Sequence, residues 1–108
     1  MIDVPVDVYT SSSEIIVVIP VWGTNKESVT ITLDNRHLIV RGERVLPTMK
    51  ESIVPVSEQC FWWSFEKRIE LPDHVYFDKI HSELTQENTL VITVPKVLRP
   101  DEIPVKIL

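Results

Sequence analysis

Residues 28–42 read "SVTITLDNRHLIVRG". Val29, Ile31 and Leu33 alternate with Thr30 and Thr32, which places the aliphatic side chains on one face of an extended segment and the hydroxyls on the other. Leu38 and Val40 repeat the pattern after the polar trio Asp34, Asn35 and Arg36, so the stretch predicts a β-hairpin that ends at Gly42. A period of two rather than 3.6 decides the fold class.

The same period runs outward in both directions. Upstream, "VDVYTS" and "EIIVVIPV" are two further strands joined through Ser11, Ser12 and Ser13. Downstream, "FWWSFEKRIELP" alternates Phe65, Lys67, Ile69 and Leu71 against Glu66, Arg68 and Glu70, and Pro72 stops it. "KIHSELT" and "TLVITVP" form a second hairpin around "QEN". About seven short strands with no sustained helical period predict an all-β fold, a two-sheet antiparallel immunoglobulin-like sandwich. Trp62 and Trp63 are neighbours in a strand, so one of them must leave the core. Between Glu43 and Glu58, Pro47 and Pro55 bar a central strand, yet "SIVPV" is too apolar for a solvated loop and calls for a partner surface.

Length and charge narrow the function. The 108 residues suffice for one domain, and the 44% hydrophobic content argues for a folded chain despite 8 prolines. A formal charge of -5 disfavours nucleic acid and anionic membrane surfaces as partners. Asp3 and Asp7 follow Met1 without a basic start or an apolar core, so no secretory leader is expected. Cys60 is the single cysteine; it fits a reducing, cytoplasmic setting and is expected to pack among Phe61 and Trp62.

Catalytic chemistry finds little support. His37, His74 and His81 fall in separate elements with no nucleophile beside them, and the carboxylates sit at turns where they cap backbone amides. Gly23 and Gly42 are too few and too far apart for a phosphate cradle. The expectation is a protein that is not an enzyme, with no cofactor and no metal.

Several stretches together resemble the α-crystallin domain of the small heat-shock proteins. "PVDVYTSSSEIIVVIPVWG" is similar to the family's first two strands, and Leu38, Val40, Gly42 and Arg44 match its L-x-[IV]-x-G-x-R strand. "SFEKRIELP" and "TLVITVPK" resemble its later strands and its P-K exit. Two departures stand out: Trp22 precedes Gly23 where the family has Pro, which predicts a reshaped turn with an exposed Trp, and Asn88 stands where glycine would close the last hairpin. Asn tolerates a left-handed turn, so that hairpin is expected to survive.

The resemblance implies an organisation. Residues 1–96 would be the domain, with 45–58 a dimerisation loop whose strand, Ile53, Val54 and Val56, swaps onto the segment holding Val6 and Val8 in a second copy. Residues 97–108 would be a linker and anchor. "IPV", Ile103 to Val105, resembles the family's I-x-[IV] anchor; Val105 and Ile107 share its spacing, and Ile103 with Val105 is favoured. In the family such an anchor occupies a groove on a neighbouring subunit, lined here by Val29, Ile31 and Leu33 with Ser82 and Leu84. The resemblance further implies an ATP-independent holdase that binds partly unfolded clients and self-assembles. The alternative is a co-chaperone or scaffold module of the same fold. Family members carry an apolar arm before the domain, and a chain that starts almost on its first strand is expected to be a trimmed or minimal member.

Overall fold

The structure, a computed structural model, describes residues 4–49 and 51–97. Its strands are β1 (Asp7–Thr10), β2 (Glu14–Pro20), β3 (Thr30–Asp34), β4 (His37–Arg44), β5 (Trp63–Glu70), β6 (His81–Leu84) and β7 (Thr89–Pro95). Single 3-10 turns occur at Lys26–Ser28 and Phe77–Lys79, and there is no α-helix among the described residues. All pairing is antiparallel, in a four-stranded sheet of order β1-β2-β7-β6 and a three-stranded sheet β3-β4-β5. This is the all-β, two-sheet antiparallel architecture that the alternation predicts. The described residues divide into two compact units, each built on one sheet: Pro5–Pro20 with residues 71–97, and Val21–Glu70 with Val4.

In the four-stranded unit the core is a ladder of matched aliphatics. Ile15, Val17 and Ile19 of β2 are buried and stand directly opposite Val94, Ile92 and Leu90 of β7, all buried as well. Each such side chain contributes about 1.5–3 kcal/mol when fully buried, so this one pairing carries much of the unit's stability. The β1–β2 turn is held by Ser11, whose hydroxyl accepts from the amides of Ser13 and Glu14 at 3.3 and 3.0 Å. The exit of β7 is tied to the same turn: the Lys96 amide donates to the Ser13 carbonyl at 2.8 Å, and its Nζ donates to the Ser11 carbonyl at 2.9 Å. In the β6–β7 turn Asn88 has φ 59°, the left-handed conformation expected of it.

The three-stranded unit buries Val4, Val21, Leu38, Ile39, Val40 and Phe65. Asn35 and Arg36 close the β3–β4 hairpin with φ 47° and 66°, and positive φ at both central residues is what the mirror-image turn of a twisted hairpin requires. β4 runs two residues past the predicted end. Gly42 does not stop it, because Glu43 and Arg44 continue the ladder opposite Ser64 and Trp63; the glycine itself makes room for the Phe65 ring, 2.7 Å from where a Cβ would lie. Ile39 is buried on the face opposite Leu38 and Val40, with Thr32 and Arg68 as its register neighbours. Glu66 pairs with Arg41 at 3.2 Å and Arg68 at 3.6 Å, and the long stems of the two arginines suit them to cover that apolar position.

Candidate interaction surfaces

The chain between β4 and β5 behaves unlike the rest of the molecule. Among the described residues from 45 to 60 there is no strand, and every one is exposed. Ile53 is among the exposed large apolar side chains, Val54 is 85% exposed and Val56 100% exposed, and Val45, Leu46 and Met49 are open as well. An apolar run in water is costly, and a contiguous exposed patch of this kind marks a contact surface. The segment also shapes a cleft of about 390 Å³, lined in part by Leu46, Ile53, Pro55, Cys60 and Trp62. Cys60 therefore departs from the sequence expectation: it is exposed on the returning limb of the arm and not packed in a core. The physical reason is that the arm leaves the sheet and takes Cys60 with it.

Each sheet leaves edges unpaired among the described residues. On β1, all four residues are exposed; Val8 and Tyr9 are more than half open, and Val6, just before the strand, is half-buried. β1 pairs with β2 alone, so its outer row of backbone groups is unpaired. On the other sheet β3 is an edge, and its Ile31 and Leu33 lie beside Val40 and Leu38 of β4 in the register. Val40 and Leu38 are buried, Ile31 and the preceding Val29 are half-buried, and Leu33 is exposed. β6 is an edge of the four-stranded sheet, where exposed Ser82 and half-buried Leu84 flank buried Ile92 and Leu90. Each edge thus ends its own apolar face in side chains that are only partly covered. The expected anchor residues Ile103, Val105 and Ile107 lie outside the described residues.

One cluster was not anticipated. Arg44 is 2% exposed. Its guanidinium carbon lies 3.8 Å from the Trp22 ring centroid and 4.2 Å from that of Phe61, and Trp62 meets Trp22 edge-on at 6.0 Å. Burial holds the guanidinium below its usual pKa, with the neighbouring Cys60 side chain opposing that shift. Arginine nonetheless keeps its charge. A desolvated cation over an aromatic face gains about 2 kcal/mol per ring, against several kcal/mol for a buried ion with no compensation, so rings at this range offset much of the cost. Parity was the available signal: Leu38, Val40, Gly42 and Arg44 alternate onto one face, which puts a charge at an inward position. Trp22, expected to be exposed, is 43% exposed with one face engaged by the cation, while Trp63 is the tryptophan that leaves the core, at 71% exposed.

Comparison with known proteins follows the same lines. A family model described as the Hsp20/alpha crystallin family matches residues 7–107. A chloroplastic small heat shock protein of Solanum lycopersicum is 31% identical in an alignment of 96 residues that covers 85% of this chain and 38% of that protein. The chain thus spans well under half the length of that curated relative. Among solved structures, a small heat-shock protein from Xylella fastidiosa superimposes with TM-score 0.77 at 21% identity, covering 98% of this chain and 94% of that one. Heat shock protein 16.0 from Schizosaccharomyces pombe gives 0.75 at 23% identity, over 100% of this chain and 96% of the other. At such identities the structures establish a shared fold.

Proposed function

The chain belongs to the Hsp20/alpha crystallin family, and from that premise we propose that it is a small heat-shock protein acting as an ATP-independent holdase. It would bind partly unfolded clients through apolar surface and keep them from aggregating, with no bond made or broken. The Xylella protein is described as having a distinct high order structure, and self-assembly of this chain is part of the proposal.

The observation that carries it is the arm. Val54 and Val56 are open to solvent in the single chain, and the edge of β1, with Val8 and Tyr9, is an unpaired ladder of matching character. Residues 53–56 of one copy would add to β1 of another, so that Ile53, Val54 and Val56 meet Val6 and Val8. Ile103 and Val105 of the tail would cover the half-open apolar side chains at edges such as β3, with Val29, Ile31 and Leu33, and β6, with Ser82 and Leu84, in a neighbouring subunit. Two buried aliphatics give about 3–6 kcal/mol before ordering costs, so one such contact is weak and reversible while many together are not. Heating would release them and expose the surfaces to clients. The free, exposed Cys60 suits a reducing compartment, which for this chain we take to be the cytoplasm.

The test is light scattering of a heat-denatured model client without ATP, at rising ratios of the 108-residue chain. Suppression that grows with dose is the expected result. An unchanged aggregation curve at molar excess refutes holdase activity for this chain.

A further inference from the structure

The two ends of the arm meet on one cation. Arg44 is the last residue of β4, and Phe61 and Trp62 are the residues on which the chain returns; between them, every described residue from 45 to 60 is exposed. The guanidinium carbon stands 3.8 Å from the Trp22 centroid and 4.2 Å from the Phe61 centroid, in the wedge formed by two rings inclined at 56°. Departure is fixed by the backbone as well: the Val45 amide donates to the Gly23 carbonyl at 3.0 Å, and Thr24 bridges Arg44. Gly23, at φ 68°, makes the turn that presents Trp22, and the Trp62 ring packs beside it, 3.4 Å from where a Cβ would sit. Arrival is bent at Trp63, whose φ of 96° is rare for a residue of that size and persists only where its surroundings impose it.

An apolar side chain at position 44 would fill this space without the desolvation cost of a charge. A planar cation does what a filler cannot: it is attracted to both ring faces at once, so neither end of the arm can slide without losing a contact. Among the described residues the Nε of Arg44 has no hydrogen-bond partner, and the guanidinium lies against the Trp22 and Phe61 rings, with the Phe65 ring 5.9 Å away. We propose that Trp22, Arg44, Phe61 and Trp62 form a cation–π clasp that closes the base of the arm and sets the direction in which it leaves the sheet. Arg44 is thereby a positioning residue for the contact of the arm with a second copy; this last step rests on the strand-swap reading, whereas the clasp does not.

The test compares Arg44→Lys and Arg44→Met in the full chain by hydrogen exchange, followed residue by residue with NMR. The Val45 amide reports the clasp, and the amides of Val17 and Ile92 report the intact four-stranded sheet. Exchange at Val45 is expected to quicken about thirtyfold in Arg44→Met and by less in Arg44→Lys, with Val17 and Ile92 unchanged. If Met protects Val45 as well as Arg does, the position is mere packing and the clasp is refuted. Should Arg44→Met fail to fold, Trp22→Leu at the part-exposed turn replaces it: Val45 must again lose protection, and an unchanged rate refutes the clasp. Sedimentation of the wild type separates the two ideas. A monomer defeats the swap and with it the positioning role, while Val45 still decides the clasp; with a dimer, fluorescently labelled Arg44→Met subunits must exchange severalfold faster than wild type, and equal rates defeat the positioning role.

Discussion

Two segments of this chain have nearly the same composition and opposite fates. "EIIVVIP" at 14–20 and "SIVPV" at 52–56 are both β-branched aliphatic runs with a proline. In the first, every second side chain is buried against matched partners on β7, and hydrogen-bonded strands lie on both sides. In the second, no strand forms among the described residues and Val56 is entirely open. Hydrophobicity is therefore not what makes a strand here; a neighbour is. The 14–20 run finds its neighbours within the chain, and the 52–56 run, which carries Pro55 within it, finds none among the described residues.

The comparison can be broken from either side. Ile92→Ala removes a side chain that its own chain encloses, and chemical denaturation should show a loss of about 2–5 kcal/mol; a loss below about 1 kcal/mol would mean the ladder is not the core. Gly42→Ala puts a methyl group against Phe65 and is expected to cost about 1–3 kcal/mol by the same measurement, since that ring has little room to yield. Arg36→Gly relieves a positive φ in the turn that gives β3 its neighbour, for a gain of about 0.5–1 kcal/mol. Val56→Ala should leave the folding of the monomer within about 0.5 kcal/mol of wild type, because its side chain is fully exposed in the single chain. The pair Val54→Asp with Val56→Asp sharpens this last case: folding stays near wild type by denaturation, while sedimentation shows the loss of the proposed dimer.

What was legible in the sequence follows the same division. β7 was bounded correctly at Thr89–Pro95 because its aliphatics alternate without interruption and a proline ends them. Asn88 was read correctly because a left-handed turn needs only local chemistry. The local pattern ends β4 at Gly42, whereas the strand continues to Arg44 because Glu43 and Arg44 pair with Ser64 and Trp63, distant in sequence and adjacent only through the β4–β5 register. Cys60 was misplaced for a similar reason: apolar sequence neighbours do not reveal that a whole segment leaves the sheet. Arg44 is a motif residue whose parity points inward, but the rings that receive it come from the turn at Trp22 and the return at Phe61. Local patterns fix which side a residue faces; they do not say what waits there.

Pro55 in the middle of the exposed arm has a further meaning. An apolar β-branched strand released by heat is the usual seed of fibril growth, because each added strand offers a fresh template to the next. Proline has no amide hydrogen, so a segment carrying it can join a ladder through one edge and shows a gap along the other. Addition through such a segment would be expected to stop after a single step. If the chain is the holdase proposed above, Pro55 would keep it from polymerising through the very segment it exposes.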